Sequence, residues 1–381
     1  MNITGIICEY NPFHLGHKKQ LNAVKSAFPD GGIVCLMSGN YVQRGAPAII
    51  DKSLRAKAAM QNGADLVLEL PVTAALSSAE GFAQKGVEIL APFCDRLCFG
   101  AETADAEKLM TTASALLSEG FSENLRTQLD IGLSFPAARQ AALEAMGADS
   151  ACIRQPNDIL AVEYCKAIAR SDHHMIPFPI LRNGDYHATM PDPENPSASA
   201  LRRLMLQNDN WQSYVSVETA KCFSGAALHS MEAGERAVLA RLRCMTEEEF
   251  SKVPFGAEGL WRKLMHAVRR ASTLEEIILS TKSKRYTRTR IDRMILCAFL
   301  GITEEMMHAP VPYVRVLALN ETGGRILRIA RESGNFINIG QRMDDPWQAV
   351  EDRCSDLYGL FAADTPEAAG LEQKQRVIYQ I

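Results

Sequence analysis

A chain of 381 residues with 47% hydrophobic and 23% charged side chains has the composition of an ordinary globular protein, with room for two or three domains. A formal net charge of -4 exerts no overall pull on polyanions, so any nucleic-acid contact must come from a local basic patch. No basic and then apolar leader opens the sequence and no run is long and apolar enough to span a bilayer, which makes the cytoplasm the expected location.

In chain order, Ile3 to Glu9 reads as a buried strand, Pro12 stops it, and apolar residues then recur in helical spacing at Leu21, Val24 and Phe28. Asn11-Pro12-Phe13-His14-Leu15-Gly16-His17 therefore falls on the first turn of a helix. Unpaired amides at such a turn favour phosphate, and Gly16 permits close approach of a ligand. His14 and His17, three residues apart, share one helix face. Neutral or partly charged near pH 7, both can donate to a phosphate oxygen whose charge grows in a transition state. A lone histidine is more often a satisfied core or surface residue, but here strand, proline stop, paired histidines and glycine coincide.

Gly32 to Met37, Ala64 to Leu70 and Arg96 to Phe99 continue the series of apolar runs, separated by helical segments such as Ser53 to Gln61. Continuous apolar strands of this kind indicate a parallel sheet covered on both faces, an α/β domain of the doubly wound type. Ligands in such sheets bind beyond the carboxyl ends of the strands. The loop Ser38 to Gly45 follows one such end and sets Gln43 and Arg44 between glycines, which suits a carboxylate or a phosphate; a plain loop with one solvated arginine is the alternative. The turn Phe99-Gly100-Ala101-Glu102 follows another.

Arg154 to Asp158 opens a helix, where Asn157 offers the donor and acceptor of a purine edge or, equally well, a cap. Arg182, in Leu181-Arg182-Asn183, ends a further apolar run. The proline-bearing stretch His187 to Ser199, with Pro191, Pro193 and Pro196, marks a boundary or lid. Ser197-Ala198-Ser199-Ala200-Leu201-Arg202 reads as a hydroxyl-rich helix start and anion site. The chain is then helical and charged to about Ile302. Within it Thr281 to Arg290 gathers Lys282, Lys284, Arg285, Arg288 and Arg290, extended by Arg293, without acids that would make intrahelical pairs. Interleaved tyrosine and hydroxyls suit RNA phosphate and base contacts. Pro312 to Leu319 is strand-like and opens a small mixed α/β segment. The expected domains are 1–195, 196–305 and 306–381.

Ten scattered cysteines form no Cys-x-x-Cys, and Cys94 and Cys98 lack partners at zinc-ligand spacing, so reduced thiols and no protein metal site are expected. The P-loop, the G-x-G-x-x-G and the G-x-S-x-G elbow are all missing, which removes the main support for kinase, dinucleotide and serine-hydrolase readings.

The H-x-G-H after a first strand and the S-x-S-x-x-R helix start are the pattern of the nucleotidylyltransferase superfamily, with its Rossmann-like fold. More narrowly, Gly5 to His17, Met37 to Asn40 with Gln43 to Gly45, and Ser283 to Arg290 closely resemble the bacterial tRNA(Met) cytidine acetate ligases. The resemblance implies that acetate attacks the α-phosphate of ATP, and that acetyl then passes to the exocyclic amine of the wobble cytidine of elongator tRNA(Met). It implies His14 and His17 as catalytic. It assigns ATP to Ile7, Cys8, Glu9, Tyr10, Asn11, Pro12, Phe13, His14, Leu15, Gly16, His17, Lys18, Lys19 and Gln20, with Gly100, Asn157 and Arg182. Ser199 and Arg202 are added as phosphate contacts, Gln43 and Arg44 as the acetate site, and Lys282, Lys284, Arg285, Arg288 and Arg290 as tRNA contacts. A magnesium ion bridging the phosphates is compatible with this chemistry, without a dedicated carboxylate cage. The alternative is a small-molecule adenylyl- or cytidylyltransferase acting on a phosphate ester.

Overall fold

The computed structural model describes residues 1–182, 192, 196–365 and 369–380. Its strands are β1 (Ile3–Cys8), β2 (Gly32–Ser38), β3 (Tyr41–Val42), β4 (Ala46–Pro47), β5 (Leu66–Leu70), β6 (Arg96–Ala101), β7 (Ile176–Leu181), β8 (Val314–Leu319), β9 (Phe336–Asn338) and β10 (Ile378–Tyr379). An eight-stranded sheet runs in the order β10-β8-β5-β2-β1-β6-β7, with β9 also paired to β8, while β3 and β4 form a separate hairpin. From β5 to β7 all neighbours are parallel.

Alternation within the strands explains the two covered faces. In β2, Val34 and Leu36 pack into one apolar cluster, and Ile33, Cys35 and Met37 into the cluster on the opposite face. In β5, Leu66 and Leu68 take the first side and Val67 the second. Each such side chain is essentially solvent-free, a gain of roughly 1.5–3 kcal/mol apiece. A third cluster lies among the helices Met231–Cys244, Leu260–Val268, Leu274–Thr281 and Arg288–Leu300, the helical region expected from sequence.

The segment 306–381, expected to be a small α/β unit of its own, instead contributes strands to the main sheet. β8 pairs antiparallel to β5, covering the hydrogen-bonding edge that β5 would otherwise expose. A buried ion cluster fastens this addition. Lys52 Nζ lies 2.8 Å from Glu69 and 2.7 Å from Glu372, and Arg315 bonds Glu351 and lies 3.2 Å from Glu372. With three carboxylates against two cations, burial pushes Glu351 up to about 7, against the pull of Arg315. Asn183, and of the proline-bearing stretch Pro191 and Pro193, lie outside the described residues. Among the described residues no helix is long and apolar enough to cross a membrane.

Candidate active site

Strand β1 has β2 on one side and β6 on the other, so the loops leaving β1 and β6 diverge and open a crevice at the carboxyl edge of the sheet. The crevice is a cleft of about 350 Å³. Of the first sequence block, Ile7, Cys8, Glu9, Tyr10, Asn11, His17 and Gln20 face it, joined by Gln43, Arg44, Gly100, Asn157, Arg182, Ser199 and Arg202. Pro12, Phe13, His14, Leu15, Gly16, Lys18 and Lys19 are not among its lining residues. Phe13 is core, and Lys18 reaches Glu218 at 3.8 Å.

His14 is the N-cap of the helix Leu15–Ala27, and His17 is the third residue of that helix. The Gly16 amide donates to His14 Nδ1 at 3.1 Å, and the His14 amide donates to His17 Nδ1 at 3.2 Å. An Nδ1 that accepts a hydrogen bond carries no proton, so the neutral form of each ring bears its hydrogen on Nε2. Burial, then the nearby Arg182 and Arg202, pushes His14 down to about 3; burial, then His14 and Arg182, holds His17 well below its usual value. Of the two expected states, neutral or partly charged, burial favours the neutral donor for both rings near pH 7. The rings stack with centroids 3.7 Å apart, and His14 Nε2 is buried without a hydrogen-bond partner. Tyr10 and Phe13 brace the pair, each with its ring against His17, at 4.9 and 5.6 Å. A Cβ on Gly16 would meet the His14 ring at 3.0 Å, so a larger residue here would press on the histidine and shift its ring.

On the opposite bank the helix Pro156–Arg170 is capped by Glu102, whose carboxylate accepts from the Asp158 amide at 2.8 Å and from Asn157 Nδ2 at 2.6 Å. Arg182 Nη1 donates to Asn157 Oδ1 at 3.2 Å. Arg202, on the helix Ala198–Leu206, donates to the Asn11 carbonyl at 2.7 Å, which ties that helix to the histidine loop. Ser197 caps this helix through the Ala200 amide, and the exposed Ser199 hydroxyl lies 3.1 Å from that of Ser197.

Gln43 is largely engaged by protein groups. Its amide N–H donates to Glu9 at 2.8 Å, its Nε2 to the Ser77 carbonyl at 3.3 Å, and its carbonyl accepts from Arg293 at 3.3 Å. Exposed Arg44 is the cation of this loop on the cleft wall. Gly45, at φ +78°, presses against the backbone of Asp292 and Arg293, where a side chain would not fit. The helix Arg288–Leu300 thus touches the rim of the cleft.

Sequence reading missed Arg55. Fully buried, it donates to the carbonyls of Ile50 at 2.8 Å, Glu9 at 2.6 Å and Ser38 at 3.1 Å, and also to that of Gly39. One guanidinium therefore fixes where the chain leaves both β1 and β2. The signal was weak, since an arginine in a helix reads as solvated.

The basic turn also differs from expectation. Acids absent from its own stretch arrive from neighbours: Arg285 pairs with Glu258 at 2.7 Å, and Arg288 bonds Glu275 at 2.7 and 2.5 Å and, against the expectation of no intrahelical pair, lies 3.8 Å from Asp292 one turn on. Arg290 donates to the Phe255 carbonyl at 2.9 Å. Lys282 and Lys284 are exposed.

Imidazoles beyond the carboxyl end of β1 adjoin a cleft that also takes Arg182, directly after β7, and Arg202, on the helix Ala198–Leu206, a set suited to an anionic ligand, and the HIGH Nucleotidyl Transferase family matches residues 1–373. The tRNA(Met) cytidine acetate ligase of Clostridium tetani is 35% identical, over 95% of this chain and 96% of its own. That of Acetivibrio thermocellus is 35% identical over 86% and 85%. Crystal structures of Thermotoga maritima TmcAL, 26% identical and covered fully on both sides, superpose with TM-scores of 0.89 for the apo form and 0.87 for the form bound with alpha-thio ATP. The chain belongs to the family of tRNA(Met) cytidine acetate ligases.

Proposed function

We propose that the protein is an ATP-dependent ligase that activates acetate in this cleft and passes acetyl to the exocyclic amine of the wobble cytidine of elongator tRNA(Met), giving N4-acetylcytidine. An acetate oxygen attacks the α-phosphorus of ATP; the bond to the β-phosphate oxygen breaks and diphosphate leaves, giving acetyl-adenylate. The cytidine amine then attacks the acetyl carbonyl, AMP departs with the bonding pair, and the amine loses a proton.

The observation that carries this reading is the neutral, tautomer-fixed histidine pair. His14 and His17 offer Nε2–H groups to the non-bridging oxygens of the α-phosphate as their charge grows, and being uncharged they do not bind the ground state tightly. Arg182 and Arg202 supply the positive field on the same phosphates. Asn157, oriented by Glu102 and Arg182, reads the adenine, and Arg44 holds the acetate carboxylate. A magnesium ion would enter as a companion of the triphosphate. The ten cysteines are all free, and no residue need act as a covalent nucleophile. A substrate of this kind places the enzyme in the cytoplasm.

The test is to incubate the protein with ATP, labelled acetate and total tRNA, digest the RNA and identify the labelled nucleoside. Label in N4-acetylcytidine is the expected result. Label in no nucleoside overturns the reading, and turnover of a phosphate ester with a nucleoside triphosphate would replace it with a small-molecule transferase.

A further inference from the structure

The arginines that dominate the basic turn in sequence are the ones the fold engages: Arg285 with Glu258, Arg288 with Glu275 and Arg290 with the Phe255 carbonyl. Within the turn, the exposed cations without an acid within ion-pair distance, among the described residues, are Lys282 and Lys284. Beside them stand others that sequence reading passed over. Lys263 Nζ donates to the Lys282 carbonyl at 3.3 Å, which brings the helix Leu260–Val268 alongside the turn. That helix, with the turn that ends it, exposes Arg262, Lys263 and Arg270. Positions 262 and 266 lie one turn apart on one face of this helix, and Arg270 follows in the turn just beyond its last residue, so the exposed cations are spread over more than one helical turn, enough to meet more than one phosphate. The Arg262 guanidinium lies 4.6 Å from the Trp261 ring centroid, which directs a planar cation outward.

This face is joined to the cleft. Tyr286, in the turn, sits under Arg290 at 5.0 Å, and Arg293, five residues beyond Arg288 on the same helix, holds the Gln43 carbonyl at the rim. The helix that follows the cationic turn therefore reaches the rim of the cleft. Cations on an otherwise acidic chain, with partly exposed aromatics between them, complement a polyanion whose target base is splayed out of a loop.

We propose that Arg262, Lys263 and Arg270, with Lys282 and Lys284, form a phosphate-binding platform for the RNA backbone that flanks the nucleotide in the cleft. The proposal rests on the tRNA-acetylating reading and extends the RNA-binding surface to a helix outside the basic turn. Its occupant is nucleic acid, since a stripe of guanidinium and ammonium groups spaced along a helix matches a repeating phosphodiester.

The test uses filter binding of unmodified elongator tRNA to the full chain across a salt series, with the double variants Arg262→Ala/Arg270→Ala and Lys282→Ala/Lys284→Ala. Exposed side chains of this kind leave the unfolding midpoint unchanged, so folding is checked in the same preparations. Each double variant is expected to weaken binding about 10-fold at physiological salt and to flatten the log–log salt dependence by about 1–2, since each lost phosphate contact removes about 0.7–0.9 from the slope. Wild-type affinity and slope in Arg262→Ala/Arg270→Ala overturns the platform, even where Lys282→Ala/Lys284→Ala binds weakly. A wild-type protein that binds tRNA but labels no nucleoside overturns the functional reading and leaves the platform standing as an RNA surface.

Discussion

The nucleotide cleft and the basic turn are built on opposite principles. At the cleft the polar groups are oriented by others: His14, behind its wall, is 2% exposed, its Nδ1 is engaged by Gly16, its amide fixes His17, and Asn157 is fixed from both ends. In the turn the cations stand in water, Arg285 with 71% of its side chain exposed, and they pair with acids that are themselves exposed. A desolvated, pre-oriented donor is worth far more than a solvated one, because it needs no reorganisation when charge develops. Loss of one cleft group should therefore be disabling, whereas loss of one cation in the turn should be diluted by its neighbours.

The largest effect is expected at His14. His14→Ala should lower acetate-dependent ATP–pyrophosphate exchange about 10²–10³-fold, the usual consequence of removing one transition-state donor, with little change in the KM for ATP. Exchange within a few-fold of the parent would show that the pair is structural, and the contrast between the two regions would collapse.

Arg55 probes the same principle one layer out, because its guanidinium bonds backbone carbonyls at the ends of β1 and β2 and ahead of its own helix. Arg55→Met leaves those oxygens buried without a donor, and denaturant unfolding should show a loss of about 3 kcal/mol. An unchanged midpoint would mean that the loops after β1 and β2 find other partners.

Titration of His14 gives a third and smaller effect. Its folded value, about 3, lies below the ordinary 6.5, so the unfolded chain takes up a proton between those limits that the folded chain refuses. Stability is thus fully present above 6.5 and is lost as the pH falls toward 3. Between pH 7.5 and 5.5 the parent should lose about 1.4 kcal/mol more than His14→Gln, which does not titrate. Glu351, raised to about 7, tilts the balance the other way in both proteins and cancels from the difference. Equal losses would mean that His14 titrates normally.

What could be read from sequence follows from the range of the forces involved. The strand, the proline stop and the H-x-G-H helix start are set within about twenty residues of one another, so local pattern sufficed to place His14 and His17 at a helix N-terminus. The pairing of β8 with β5, between Leu319 and Leu66, joins segments some 250 residues apart and leaves no periodic trace in either. The same holds for Arg55, whose partners are backbone carbonyls that any sequence would supply. Glu102 was visible as a turn residue but not as the cap of a helix more than fifty residues on. The basic turn was legible in charge and not in availability, because Glu258 and Glu275 come from other helices or loops.

That last distinction supplies the smallest effect and the finest test of the comparison. Arg285 and Lys284 are adjacent and exposed, and by composition alone they are equivalent. Arg285 must leave Glu258 to meet a phosphate, and the carboxylate left behind would stand near the bound RNA; Lys284 has no such bond to break among the described residues. Exposed ion pairs are worth about 0–1 kcal/mol, so the difference is modest. Lys284→Gln should weaken tRNA binding about 3-fold and lower the salt slope by nearly 1, while Arg285→Gln should weaken it less than 2-fold. The reverse order would mean that the Arg285–Glu258 pair opens on binding and that the turn rearranges to its ligand, in which case its free-state pairing says little about which cations the RNA meets.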